Sequence, residues 1–171
     1  MRVYTENNSR LEWAVIQTML GAAYLTLTSD DPHPYANKAI AACEAALRVC
    51  TKNDSVLWAY NQFLLGIVYG DLASSDSNNN ANKAIAAFEA TQRVFTEKAY
   101  PMYWIITQMG LGSIYKDELS TGSRSHNLKR AIAYFESALR ADTAKTIPEL
   151  HQEVIDMLKD AQIELQNLTK K

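Results

Sequence analysis

An all-α protein made of stacked helical hairpins is what this chain predicts, on three observations. The set Trp, Gln, Leu-Gly, Tyr occurs three times at nearly one spacing: Trp13, Gln17, Leu20, Gly21, Tyr24; Trp58, Gln62, Leu65, Gly66, Tyr69; and Trp104, Gln108, Leu111, Gly112, Tyr115. A second echo follows each copy: Lys38-Ala39-Ile40-Ala41-Ala42-Cys43-Glu44, Lys83-Ala84-Ile85-Ala86-Ala87-Phe88-Glu89 and Arg130-Ala131-Ile132-Ala133-Tyr134-Phe135-Glu136. Trp58 lies 45 residues after Trp13 and Arg130 lies 47 after Lys83, a period that marks an array of like supersecondary units. Within each unit apolar residues recur at three-to-four spacing, the helical period.

The first helix of the first unit runs from about Ser9 to Thr28, with Trp13, Ile16, Leu20, Tyr24 and Leu27 at that spacing and no internal Pro. Ser29-Asp30-Asp31-Pro32-His33-Pro34 is a breaker cluster. The second helix carries Ala39, Ile40, Cys43, Ala46 and Leu47 as its stripe, with Lys38, Glu44 and Arg48 away from it. In the second unit the loop is Ser74-Ser75-Asp76-Ser77-Asn78-Asn79-Asn80, with Asn80 as the expected N-cap. In the third it is Ser120-Thr121-Gly122-Ser123-Arg124-Ser125-His126, with Asn127 as the cap. Glycine inside a helix costs about 1 kcal/mol against alanine. Gly21, Gly66 and Gly112 therefore call for a packing reason: a neighbouring helix crossing too closely for a Cβ, with Ala39, Ala84 and Ala131 as the reciprocal small positions.

The two ends differ. Arg2-Val3-Tyr4-Thr5 matches Arg48-Val49-Cys50-Thr51 and Arg93-Val94-Phe95-Thr96, so residues 1–5 read as the last turn of a preceding repeat helix. At the other end Thr146-Ile147-Pro148-Glu149 reads as a capping-box start. The helix after it places Leu150, Val154, Met157, Leu158, Ala161 and Leu165 on one stripe. Aligned as a fourth first helix, it carries Lys159 where Gly would stand and Gln162 where Tyr would, which suits a closing helix with a polar outer face. The organisation is one domain: residues 6–51, 52–96 and 97–143 as repeats and 146–169 as the capping helix.

Composition excludes several classes. With 171 residues, 47% of them hydrophobic, and a net charge of −2, the chain can build a continuous core and lacks the basic stripe of a nucleic-acid or anionic-membrane binder. No apolar run approaches the roughly 20 residues of a membrane span, and no signal-peptide block opens the chain, so the expectation is a cytoplasmic protein. Cys43 and Cys50, seven apart on one helix, lie about 10 Å apart along the axis, too far for a disulfide, and read as buried thiols. They align with aromatic positions of the other copies, Cys43 with Phe88 and Phe135, Cys50 with Phe95. His33, His126 and His151 are dispersed, Asp30-Asp31-Pro32-His33 reads as a solvated acidic turn, and no nucleophile–base pair, phosphate loop or zinc spacing appears. The expectation is no enzyme, no cofactor and no metal.

The repeated pattern resembles the tetratricopeptide repeat, whose signature runs large residue, Leu-Gly, Tyr, then Ala and Phe three spacers apart. Leu65-Gly66, Tyr69, Ala84 and Phe88 match it, as do Leu111-Gly112, Tyr115, Ala131 and Phe135, over roughly residues 6–143. The units exceed that family's roughly 34 residues. Its leading Trp slot holds Gln17, Gln62 and Gln108, and Thr51, Thr96 and Thr143 replace its closing Pro. In this it is similar to the long-loop variety found in bacterial signalling proteins. The resemblance implies a right-handed α-solenoid of three hairpins plus a capping helix, seven helices in all.

Function follows from the same comparison of copies. The Trp/Gln pairs, i and i+4 on one face, recur unchanged and read as scaffold, each amide serving a carbonyl of the adjacent repeat. The resemblance implies that first helices line a concave groove for a partner's peptide or helix. The positions it supplies are Val15, Thr18, Ala22 and Leu25 in the first unit and Tyr60, Phe63, Ile67 and Gly70 in the second. The third supplies Ile106, Met109, Ser113 and Lys116. Tyr60, Phe63 and Met109 would be anchors, with Asp71, Lys116 and Asp117 at a rim. The family's carboxylate clamp is missing, because Thr18, Ala22, Leu64, Ile106 and Gly110 stand where its Lys, Asn and Arg belong. The resulting expectation is a non-enzymatic interaction scaffold for a protein or peptide partner. The alternatives are homo-oligomer assembly through an apolar face around Leu11, Trp13 and Ala14, and a peptide-sensing repeat domain of a signalling protein.

Overall fold

The computed structural model describes residues 5–27, 33–51, 55–73, 77–117, 123–141 and 147–170. These form seven helices and no strand among the described residues: α1 (Arg10–Thr26), α2 (His33–Val49), α3 (Ser55–Ala73), α4 (Ser77–Thr91), α5 (Pro101–Lys116), α6 (Arg124–Arg140) and α7 (Pro148–Thr169). α1 pairs with α2, α3 with α4 and α5 with α6, and α7 packs on α6 and, more lightly, on α5. Between pairs, α3 rests on α1 and α2, and α5 on α3 and α4. Each pair touches only its neighbours among the described residues, the one-dimensional contact pattern of a repeat array.

Close approach within each pair is what the glycines permit. A Cβ on Gly66 would lie 2.5 Å from Cδ1 of Phe88, and one on Gly110 would lie 2.7 Å from Cε2 of the same ring. Phe88 of α4 is thus wedged between α3 and α5. Gly21 faces the Cys43 Sγ, at 2.6 Å from a Cβ, and Gly112 faces Phe135 in the same way. The expectation of a crossing helix holds, but its contact atom is different. The glycines receive Cys43, Phe88 and Phe135, one helical turn beyond the expected alanines, while Ala39, Ala84 and Ala131 are fully buried beside them.

The two sequence echoes meet in space. Lys38 Nζ sits 5.7 Å from the Tyr24 ring centroid, Lys83 Nζ 5.0 Å from Tyr69, and the Arg130 guanidinium 4.0 Å from Tyr115. The signature Tyr of each first helix therefore carries the signature cation of its second helix over its face. The echoed glutamates reach the next repeat: Tyr69 donates its hydroxyl proton to Glu44 Oε1 at 3.3 Å, and Arg130 lies 4.0 Å from Glu89. Thr5 and Thr96, each closing an Arg-Val-aromatic-Thr echo, accept a backbone N–H three residues on, from Asn8 and Ala99.

Several boundaries fall differently from the sequence expectation. Asn80 and Asn127 are not N-caps but lie inside α4 and α6, and Asn127 is buried. Ser123 caps α6, its hydroxyl accepting the N–H of His126, which belongs to the helix and not to a loop. His33 likewise opens α2. The N-cap of α7 is Ile147, with no side-chain cap bond, so no capping box forms from the described residues; Thr146 lies outside them. Also outside are residues 1–4 of the expected preceding helix and the Asp30-Asp31 turn. The amide Nε2 of buried Gln108 has no partner, so the bond expected for the Gln ladder is not made there. Cys43 and Cys50 are buried and form no disulfide, and burial, with Glu44 adding to it, pushes the Cys43 thiol up to about 12.

Candidate functional site

Two cavities open beside the first helices. The first, about 460 Å³, is lined by Val15 of α1, Val56, Leu57 and Tyr60 of α3, Phe95 and Tyr100 between α4 and α5, and Tyr103 of α5. Its wall is a set of interlocked rings: Phe95 stacks on Tyr103 at 4.6 Å, Tyr103 meets Phe63 edge-on at 5.3 Å, and Tyr60 meets Tyr103 edge-on at 5.7 Å. Such contacts hold the wall rigid without closing the mouth. Burial raises the Tyr60 phenol above its ordinary value, with Tyr103 and Cys43 adding to the shift.

The second cavity, about 370 Å³, lies among α3, α5 and α7 over the ring of Phe88. Ile67, Ile106, Met109 and Met157 give it apolar walls, and Asp71, Asp117 and Glu153 stand around it. It adjoins the C-terminal turns of α3 and α5; at the latter the Ser113 carbonyl accepts the Asp117 N–H and the Lys116 carbonyl accepts from the Arg124 guanidinium. Burial alone raises the Asp71 carboxyl above the usual carboxylate range.

The twelve expected groove positions divide accordingly. Val15 and Tyr60 line the aromatic cavity; Ile67, Gly70, Ile106, Met109 and Ser113 line the other, with Asp71 and Asp117 as the expected rim. Thr18 and Phe63 present nothing to a ligand. Thr18 is buried, its Oγ1 donating to the Ala14 carbonyl at 2.8 Å and accepting from Asn61 Nδ2 at 2.8 Å, a polar latch between α1 and α3. Phe63 is buried among aromatic rings and is a core residue. Ala22 and Leu25 are half-buried against the core. Lys116 is half-buried, lines neither cavity, and offers its carbonyl to the Arg124 guanidinium, which also binds Glu164 of α7, Nε to Oε1 at 2.7 Å. Sequence reasoning missed Glu153 and Met157. The fourth-copy alignment carried the signal, because Glu153 takes the register of Val15, Tyr60 and Ile106.

The exposed apolar face of α1 also differs from the one expected. Leu11 is on it, but Ala14 is fully buried and Trp13 half-buried against the first hairpin. The face consists instead of Leu11, Val15, Ile16, Met19, Leu20 and Leu27, with Met19 67% exposed. In α3 the counterparts of Ile16, Met19 and Leu20, namely Asn61, Leu64 and Leu65, are buried at the junction with the preceding pair, whereas Val56, the counterpart of Leu11, is 46% exposed.

Among the described residues no group of three or more His, Cys, Asp or Glu is arranged to hold a metal, and no helix is long and apolar enough to cross a membrane. No protein-family model, no curated protein and no solved structure matches the chain. The tetratricopeptide resemblance therefore rests on the residues of the chain itself.

Proposed function

We propose that this chain is a non-enzymatic interaction module of tetratricopeptide type, a right-handed solenoid working in the cytoplasm that holds a peptide or helix of a partner along its first helices. The observation that carries the reading is the pair of cavities on that side, one aromatic and one apolar with a carboxylate rim. Concave, mostly apolar sites with a few converging polar groups are the usual form of a recognition surface. Binding there draws on apolar burial and shape, with anchors seated in pockets and the rim setting orientation. The test is partner capture by full-length chain carrying Val56→Asp and Ile67→Asp, one charge in each cavity. With the fold intact by circular dichroism, capture is expected to fall about tenfold. Undiminished capture by the folded double variant, or steady turnover of a substrate by the wild type, would overturn the reading.

The face of α1 favours a second reading, self-association. Ile16, Met19 and Leu20 occupy positions that α3 buries against another helical pair, yet here they meet solvent. Head-to-tail stacking onto the far end is disfavoured, since the outer face of α7 presents Glu149, Asp156 and Asp160. A two-fold dimer through α1 is the form this reading takes. Sedimentation velocity across a concentration series is expected to show a dimer that Met19→Lys abolishes; a monomer at every concentration removes the reading.

A further inference from the structure

The carboxylates around the second cavity come from three helices, Asp71 from α3, Asp117 at the end of α5 and Glu153 from α7, and among the described residues no basic side chain lines it. We infer that this cavity takes the Lys or Arg side chain of a partner peptide whose neighbouring basic residues run along the outer face of α7. The inference rests on the groove reading above and names the chemistry of its occupant.

Two features of the site agree on a cation. Its interior suits the aliphatic stem of a long basic side chain, with Ile67, Met109 and Met157 as walls, while the charged head stays at the carboxylate rim. Gly66 and Gly110 lack the side chains that would cover Phe88, so its ring forms the floor.

The same polarity continues outside the cavity. A shallow depression along α7 shares Glu153 and Met157 with it and adds Glu149, Asp156 and Asp160. Positions 149, 153, 156 and 160 fall at helical spacing on one face. Lys159 lies 4.0 Å from Asp156 at the edge of this track, both side chains well exposed. An acidic or wholly apolar segment laid here would take carboxylates out of water and supply no positive charge of its own, whereas a basic one supplies it.

The experiment pans a display library of random twelve-residue peptides on immobilised full-length chain and sequences what is retained. Wild type is expected to enrich Lys and Arg beside apolar residues. Asp71→Asn/Asp117→Asn/Glu153→Gln, which removes charge at constant shape, is expected to lose that enrichment. A recovered basic peptide, measured by fluorescence anisotropy, should bind this triple variant about tenfold more weakly. It should bind undiminished to Glu12→Gln/Glu97→Gln/Glu136→Gln, a control with the same net charge and exposed substitutions elsewhere. Peptides enriched without basic bias, or basic peptides retained equally by the first variant, overturn the cationic assignment and leave the groove reading standing. Equal weakening by both triple variants overturns it as well, since the attraction then belongs to net charge. Enrichment of no sequence over the bare support overturns both.

Discussion

Replacing Phe88 with alanine is expected to cost about 3–5 kcal/mol, the range for removing a buried Phe side chain. The ring is buried between two helical pairs and also meets Phe63 at 6.4 Å. Its loss should lower the melting temperature by roughly 10 °C in a chain of this length. A sharper consequence concerns its neighbours. Gly66→Ala alone is expected to destabilise, because the new Cβ would stand 2.5 Å from the ring and overpacking costs about 1–3 kcal/mol. In the Phe88→Ala background that obstacle is gone. The same substitution should then stabilise by about 1 kcal/mol, the helix propensity of Ala over Gly. A double-mutant cycle by chemical denaturation reads this reversal of sign directly. If Gly66→Ala carries one cost in both backgrounds, the ring is not what requires glycine.

This cycle also marks how far the sequence could be read. The three copies were enough for seven helices, their pairing and the need for close approach at Gly21, Gly66 and Gly112. Periodicity identifies a buried stripe but leaves open how two stripes slide past each other. The glycines consequently met Cys43, Phe88 and Phe135 most closely, one turn beyond the expected alanines, while Gly21 also approaches the Ala39 carbonyl, 3.5 Å from a Cβ. Capping failed for a related reason: an Asn following a run of Ser and Asn satisfies local preference at several starts, and Ser123 took the role assigned to Asn127. The Tyr–cation pairs were present as two separate echoes, and only the helix crossing brings Arg130 over Tyr115. Within the candidate site, Thr18, Phe63 and Met109 share one register position, yet only Met109 lines a cavity. The Thr18–Asn61 bond holds α1 against α3 there, and the cluster around Tyr103 absorbs Phe63. These are particular partners, and no spacing rule names them.

The signature leucines offer the second large effect. Leu111 is fully buried and Leu65 is 6% exposed, whereas Leu20, the same residue in the same pattern, is 41% exposed. Leu111→Ala is expected to cost about 2–5 kcal/mol, since both the transfer term and a residual cavity apply. Leu20→Ala should cost under about 1 kcal/mol in dilute solution, because solvent already reaches the side chain and no closed cavity forms. Denaturant titrations of the two variants against wild type compare them directly, and equal costs would mean that α1 is covered even in the monomer. Concentration supplies the link to function. Ligand or partner binding to the folded state adds stability by mass action, so a face buried by a second copy makes its residues matter more as protein concentration rises. If α1 is the dimer face, the penalty for Leu20→Ala grows toward that of Leu111→Ala with concentration, while the penalty for Leu111→Ala at the interior stays nearly constant. A Leu20 penalty independent of concentration would remove the dimer reading of α1.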